Sequence, residues 1–229
     1  MESLVSIIHD KIKLKEEQGL IGKFGTVSGY LSVTRLLKEM TDDAAINKWR
    51  QTVGEKEADR ITEAAVSRGR RMHELIDQHF SSQVTDLDLT KPGDIHYNKL
   101  LPELDNIRPL FVETCLFSDK LSMTGKTDTI GYYDGVPSTI DYKTSRRPKR
   151  LEYMKSYGVQ VALYSMMFLD MTGHPIRQGV LINSPDNEEG IDAPTPVQVF
   201  TFDVSQYVPL AIDVPSHDKV RLLLRDKSP

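Results

Sequence analysis

The dipeptide Asp134-Gly135 separates two runs, 127–133 and 136–144, that are rich in Thr, Ile, Val and Tyr. Residues of that kind favour strands. Asp-Gly accepts positive φ at both central positions of a two-residue turn, so it closes a hairpin. With 134 and 135 as the loop, Tyr133 pairs with Val136 and the register of the whole hairpin follows. Counting back from the turn, Asp128 stands opposite Asp141, with Cβ atoms about 5 Å apart. Lys143 shares their face, because strand side chains alternate. Pro137 is the weak point, since proline suits an edge or a bulge and a bulge shifts the register by one.

Two carboxylates and an ammonium on one sheet face admit two readings. One is a solvated face carrying a cross-strand ion pair. The other is a divalent-metal site, because Mg²⁺ takes carboxylate oxygens at about 2.1 Å and keeps several waters. A lysine beside such an ion can orient or deprotonate a water. In the second reading the ion is the positive charge that lets the aspartates face each other. Removing either carboxylate from the metal-free protein is then expected to relieve repulsion and leave stability level or higher.

At 229 residues, with 39% apolar and 27% charged content, the chain has the composition of an ordinary globular domain. A single domain over 1–229 is expected, with a mainly helical region at 1–94 and a sheet-containing core at 95–229. The one cysteine, Cys115, excludes an internal disulfide, a cysteine-ligated zinc and an iron–sulfur cluster. It points to a reducing, cytoplasmic setting. No apolar run reaches membrane-spanning length, and residues 1–30 carry neither a signal-peptide nor a transit-peptide pattern. The net charge of −4 means that any nucleic-acid binding rests on local basic patches. Two exist. "SRGRRMHELID" carries Arg68, Arg70 and Arg71 just before His73, and "KTSRRPKR" carries Lys143, Arg146, Arg147, Lys149 and Arg150. One such run is ordinarily a solvated face; two beside one candidate site suit phosphate.

Leu4, Val5, Ile8 and Ile12 recur at helical spacing, and Ser32 and Thr41 are placed to cap two further helices. Gly54 breaks the pattern, and Ile61, Ala65, Met72, Leu75, Ile76 and Phe80 mark a longer apolar stripe. Residues 81–94 read as a loop, followed by a helix interrupted near Pro102. "LFVETCLFS", apolar on both faces, reads as a buried strand. After the hairpin come a helix over about 151–171, closed by Gly173 and Pro175, two strands at 177–184 and 197–204, and a closing helix. "SPDNEEGIDAPTP" is the surface loop between those strands. The expected fold is α/β (α+β), a mixed central sheet flanked by helices.

The stretches "GRRMHELID", "VETCLFSDKLSMTGKTDTI", "STIDYKTS" and "QVALYSMMF", with "SVT" near residue 32, occur in the order and spacing of a known family. Over roughly residues 30–205 the chain resembles the RecB-like branch of the PD-(D/E)XK nucleases. Within that branch it is most similar to the exonucleases of mitochondrial genome maintenance and their phage and bacterial relatives. The resemblance implies a restriction-endonuclease-like core and metal-dependent hydrolysis of DNA. It implies that His73, Asp128, Asp141 and the backbone carbonyl of Tyr142 hold one or two Mg²⁺ or Mn²⁺ ions, with Glu113 as a further candidate. Lys143 would be the catalytic lysine, positioning and helping to deprotonate the attacking water. Gln160 and Tyr164, four residues apart on one helix face, would brace that lysine or a phosphate.

The implied substrate is single-stranded DNA with a free end, threaded by a monomer beneath an arch built from 32–81. Arg68, Arg70 and Arg71 would line the passage, and Arg146, Arg147 and Lys149 would add phosphate contacts. The chain departs from some relatives in lacking cluster-binding cysteines and any P-loop, which implies a stand-alone nuclease of phage or bacterial type. An endonuclease of the same superfamily and a non-catalytic nucleic-acid-binding module remain as alternatives.

Overall fold

Both residues of the Asp134-Gly135 turn have positive φ, 49° and 77°, and Tyr133 pairs with Val136 as the turn requires. The computed structural model describes residues 3–21, 26–39, 43–84, 86–150, 154–187 and 195–213. In chain order its elements are α1 (Leu4–Glu17), β1 (Leu31–Ser32), α2 (Val33–Glu39), α3 (Asp43–Val53), α4 (Glu55–Phe80) and α5 (Pro92–Leu104). Then come β2 (Ile107–Ser118), β3 (Met123–Tyr133), β4 (Val136–Ser145), α6 (Lys155–Thr172), β5 (Gln178–Pro185), β6 (Gln198–Asp203) and α7 (Val208–Asp213).

The sheet is mixed. β2 pairs antiparallel with β3, β3 with β4 and β5 with β6, while β4 and β5 run parallel. β1 runs parallel to the start of β3, Leu31 beside Met123 and Ser32 beside Thr124. Thr124 also pairs with Phe117 of β2. A strand residue has only two edges, so β1 lies on the edge opposite β2. Farther along, β4 holds that same edge, beginning at Thr129. Along one edge β3 therefore exchanges β1 for β4, and Asp128 stands at the fork between them.

Apolar side chains cover both faces. On one, Val33 and Leu36 of α2 pack with Ile130, Leu163 and Phe168, and Ile8 of α1 joins them. On the other, Met72, Leu75 and Ile76 of α4 and Leu100 of α5 pack on Ile140, Tyr142, Val180 and Ile182. Truncating any of the Leu, Ile or Met residues among these to alanine costs about 2–5 kcal/mol. The α4 stripe thus fixes the helix against the sheet, and with it the height at which His73 sits.

The N-terminal helices are accordingly not a separate layer, since α1, α2 and the second half of α4 all build the core. Among these helices only α3 has none of its described side chains buried. Ser32 caps α2 as expected, its Oγ accepting the Arg35 N–H at 3.2 Å, whereas the Thr41 cap lies outside the described residues. Gly173 closes α6 with φ 75°, its N–H reaching the Leu169 carbonyl at 2.7 Å.

Two sequence expectations fail locally. Residues 92–94, read as loop, form the first turn of α5, because proline at the first helical position has no N–H to leave unpaired. Pro102 does not interrupt that helix, which runs on to Leu104.

Candidate active site

Asp128 and Asp141 hold the positions that the hairpin register assigns, but the ladder opens between them. The last paired residues are Thr129 and Ile140. One step on, Asp128 Oδ2 accepts the backbone N–H of Tyr142 at 3.0 Å. A side chain takes the hydrogen bond that a strand carbonyl would otherwise take, and the carboxylate reaches into the fork.

Three donors meet there. His73 Nδ1 lies 3.5 Å from Glu113 Oε1 and 3.7 Å from Asp128 Oδ2. One ligand atom from each of His73, Glu113 and Asp128 can be chosen so that all lie within 4.8 Å of one another. Among the described residues this is the one such group of three. Glu113 faces Asp128 because Val112 pairs with Thr129 and Thr114 with Thr127. Its φ is +47°, in the left-handed region that a non-glycine residue adopts at a cost of order 1 kcal/mol or more. Its second oxygen is 2.6 Å from Lys126 Nζ.

Asp141 stands beside this group rather than in it. It is 2% exposed; Lys143 Nζ meets Oδ2 at 2.5 Å, and Oδ1 has no hydrogen-bond partner. Such burial removes the reading of this face as a solvated one. A buried carboxylate facing only one ammonium has lone pairs to spare, and three more donors lie across the fork. The set His73, Glu113, Asp128 and Asp141, one imidazole and three carboxylates, suits a divalent cation such as Mg²⁺ or Mn²⁺.

The electrostatics are set by the three carboxylates and the cations that face them. Burial alone would lower the His73 imidazole, but the facing Asp128 and Glu113 carboxylates outweigh it and raise the group to about 9. Burial raises the Asp141 carboxyl to about 6, against the pull of Lys143 and reinforced by the Asp128 charge. Burial opposes the Lys143 charge, yet Asp141 and Asp128 hold its ammonium above the ordinary lysine range. Without a bound ion, Lys143 is thus a proton donor rather than a base.

The remaining predicted residues divide into two groups. Tyr164 is buried on α6, and its burial, with the Asp128 charge, keeps the phenol protonated; Gln160, one turn earlier, shares a hydrogen bond with it. Tyr164 also passes so close to β3 that a Cβ on Gly125 would stand 2.8 Å from its ring, which accounts for that glycine. Arg146 and Arg147 are exposed, and Lys149 is half-buried.

In the other basic run only Arg70 is exposed. Arg68 donates to Thr144 Oγ1 at 3.2 Å and to both Asp186 oxygens at 3.3 Å, and Asp186 also meets His96 Nε2 at 2.9 Å. Arg71 grips the fully buried Asp94 through two hydrogen bonds of 2.8 and 3.0 Å. Arg68 and Arg71 therefore tie α4 to β4, to the residue that follows β5 and to α5 rather than lining a passage with free charge.

Sequence reasoning missed Lys126 and Tyr157. The first was legible in principle, since it lies two residues before Asp128 on the same strand face. The second was not. The Tyr157 ring meets Lys143 at 5.4 Å and Lys149 at 5.0 Å only because α6 folds back over β4.

Among the described residues no helix is long and apolar enough to cross a membrane. The chain matches the PD-(D/E)XK nuclease superfamily over residues 92–219. It is 31% identical over 130 residues to mitochondrial genome maintenance exonuclease 1 of Homo sapiens, a match covering 52% of this chain and 37% of that protein. The chain thus spans little more than a third of that relative. Among solved structures, the crystal structure of SSO0001 superimposes with a TM-score of 0.43 at 16% identity, covering 93% of this chain and 87% of that one. An alkaline exonuclease (LHK-Exo) from Laribacter hongkongensis gives a TM-score of 0.33 at 10% identity, covering 86% and 93%. Neither likeness carries weight at those scores. The family match alone spans more than half of the chain and contains Glu113, Asp128, Asp141, Lys143, Gln160 and Tyr164. This chain belongs to the PD-(D/E)XK nuclease superfamily.

Proposed function

We propose that the protein is a metal-dependent DNA exonuclease acting from the free ends of single strands. The observation that carries this reading is the meeting of His73, Glu113 and Asp128 beside Asp141 and Lys143, where β3 parts from β4. In this reading His73, Asp128 and Asp141, with Glu113 and the backbone carbonyl of Tyr142, hold one or two Mg²⁺ or Mn²⁺ ions. A bound ion of this kind stabilises charge on a phosphoryl oxygen and lowers the pKa of a water. Lys143, kept as an ammonium by Asp141, orients the attacking water and shares the negative charge that grows on the phosphate. Tyr164, a buried proton donor braced by Gln160, holds β3 at the fork. Arg70, Arg146, Arg147 and Lys149 take the flanking phosphates.

Action from ends is supported by the human relative, whose name is that of an exonuclease, and by α3, none of whose described side chains is buried. Single-stranded DNA, linear and covalently closed, separates this reading from an endonuclease. The linear strand should be degraded with Mn²⁺ and spared with EDTA, and the circle should survive both. Cutting of the circle at the rate of the linear strand would replace the exonuclease by an endonuclease.

A further inference from the structure

The basic segment that follows β4 is tied down by side chains to which no role has been given above. Gln198, the first residue of β6, accepts the backbone N–H of Lys149 on Oε1 at 2.7 Å. Its Nε2 donates to the Lys149 carbonyl at 3.0 Å. A side-chain amide thus makes the two-bond pairing that a neighbouring strand would make. The same Oε1 accepts from Asn183 Nδ2 at 3.0 Å, and Nδ2 reaches Ser145 Oγ at 3.0 Å. Ser145 Oγ in turn donates to the Arg147 carbonyl at 2.7 Å, and the Ser145 carbonyl accepts the Asp186 N–H at 2.7 Å. Asn183 is wholly buried, so the anchor is part of the sheet.

What is pinned is backbone, and what projects is charge. Arg146 and Arg147 are exposed. The Lys149 ammonium lies over the Tyr157 ring that also meets Lys143, so the segment leads from the catalytic lysine across one shared aromatic surface.

We propose that Gln198, with Asn183, is a positioning residue for substrate: it holds residues 145–149 as a preformed phosphate-binding strap for the strand that enters at Lys143. This rests on the nuclease reading of the site. A segment that must be ordered on binding loses affinity to that ordering, whereas one already fixed does not. The surface cations alone would supply attraction, and the pinned backbone supplies their placement.

Gln198→Met is near in volume and lacks the amide. Binding of a fluorescent oligo-dT of about twenty nucleotides in EDTA, across a salt series, reads its effect. We expect Kd to rise about tenfold at every salt concentration with the log–log slope unchanged, because no cation has been removed. The Arg146→Ala/Arg147→Ala double variant should instead flatten the slope by about 1.4. With Mn²⁺, Gln198→Met should raise KM and leave kcat within about twofold, since no group at the reacting phosphate changes. Ser145→Ala, which cuts the tie at the other end, should move Kd in the same direction.

Wild-type affinity in Gln198→Met, or a fall in kcat with KM unchanged, overturns the strap. If the wild type binds the oligonucleotide but cuts nothing with any divalent metal, the nuclease reading fails while the binding comparison still decides the strap. A wild type that binds no oligonucleotide overturns both.

Discussion

Asp128 Oδ2 accepts the backbone N–H of Tyr142 at 3.0 Å, one step past the last residue pair of the β3–β4 ladder. The carboxylate stitches the two strands together where they part, and His73 faces it from α4 at 3.7 Å. Simple repulsion between Asp128 and Asp141 would make Asp128→Ala neutral or stabilising in the metal-free protein. The hydrogen bond and the imidazolium reverse that sign. Asp128→Ala should lower stability by about 1.5–3 kcal/mol, the range for a hydrogen bond to a charged group. Asp128→Asn, which keeps an acceptor, should lose less. Urea unfolding in EDTA measures both; equal stability of the alanine variant and wild type would show that the bond contributes nothing.

Asp141 behaves differently because it is buried, with the Lys143 ammonium at one of its oxygens. Its carboxyl titrates near 6 in the folded protein and near 3.9 when unfolded. Between those values the folded state binds the extra proton, so this group makes stability fall as pH rises from about 4 to about 6. Asp141→Asn removes that slope. Its stability relative to wild type should grow across this window and level off above it, whatever constant offset the unpaired Lys143 adds. A difference that does not change with pH contradicts the raised carboxyl.

Arg70 and Arg71, adjacent in sequence, should separate cleanly. Arg71 holds the Asp94 carboxyl below the usual carboxylate range, against its burial and with help from the Asp88 N–H. Stability from this pair is present above the unfolded pKa near 3.9 and is lost as pH falls through the lower folded value. Arg71→Met leaves a buried carboxylate without its cation and should cost on the order of 3 kcal/mol at neutral pH. Arg70→Ala, at an exposed site, should change stability by under about 0.5 kcal/mol and weaken oligonucleotide binding instead. The reverse pattern would mean that Arg71 faces the nucleic acid.

Gly125→Ala would place a Cβ 2.8 Å from the Tyr164 ring and 3.3 Å from Val33 Cγ2. Both neighbours are buried, so neither can give way freely. We expect a loss of about 1–3 kcal/mol, the usual cost of overpacking, with reduced hydrolysis as the fork widens. Thermal melts and activity at saturating substrate check the two effects together. Full activity and stability would show that Tyr164 does not set the fork.

The hairpin was legible in the sequence because a single dipeptide sets its register, and that register carried Asp128, Asp141 and Lys143 to one place. β1 was not legible, since two residues make no period. Glu113 entered only through the family resemblance; its partner Lys126 lies on the next strand, but His73 comes from a helix far off in the chain. Arg68, Arg70 and Arg71 looked alike because a charge run does not say which guanidinium meets a carboxylate. That depends on how α4 rests against α5, which carries Asp94, and against the end of β5, just past which Asp186 lies.

In the function proposed, the fork between β3 and β4 binds a divalent ion through His73, Asp128 and their neighbours. Calorimetric titration of Mn²⁺ into wild type and Asp128→Asn tests it most directly. Saturable binding of one or two ions by the wild type, reversed by EDTA, is expected, with its loss in Asp128→Asn despite an intact fold. Equal binding by both proteins, or none by either, would contradict it.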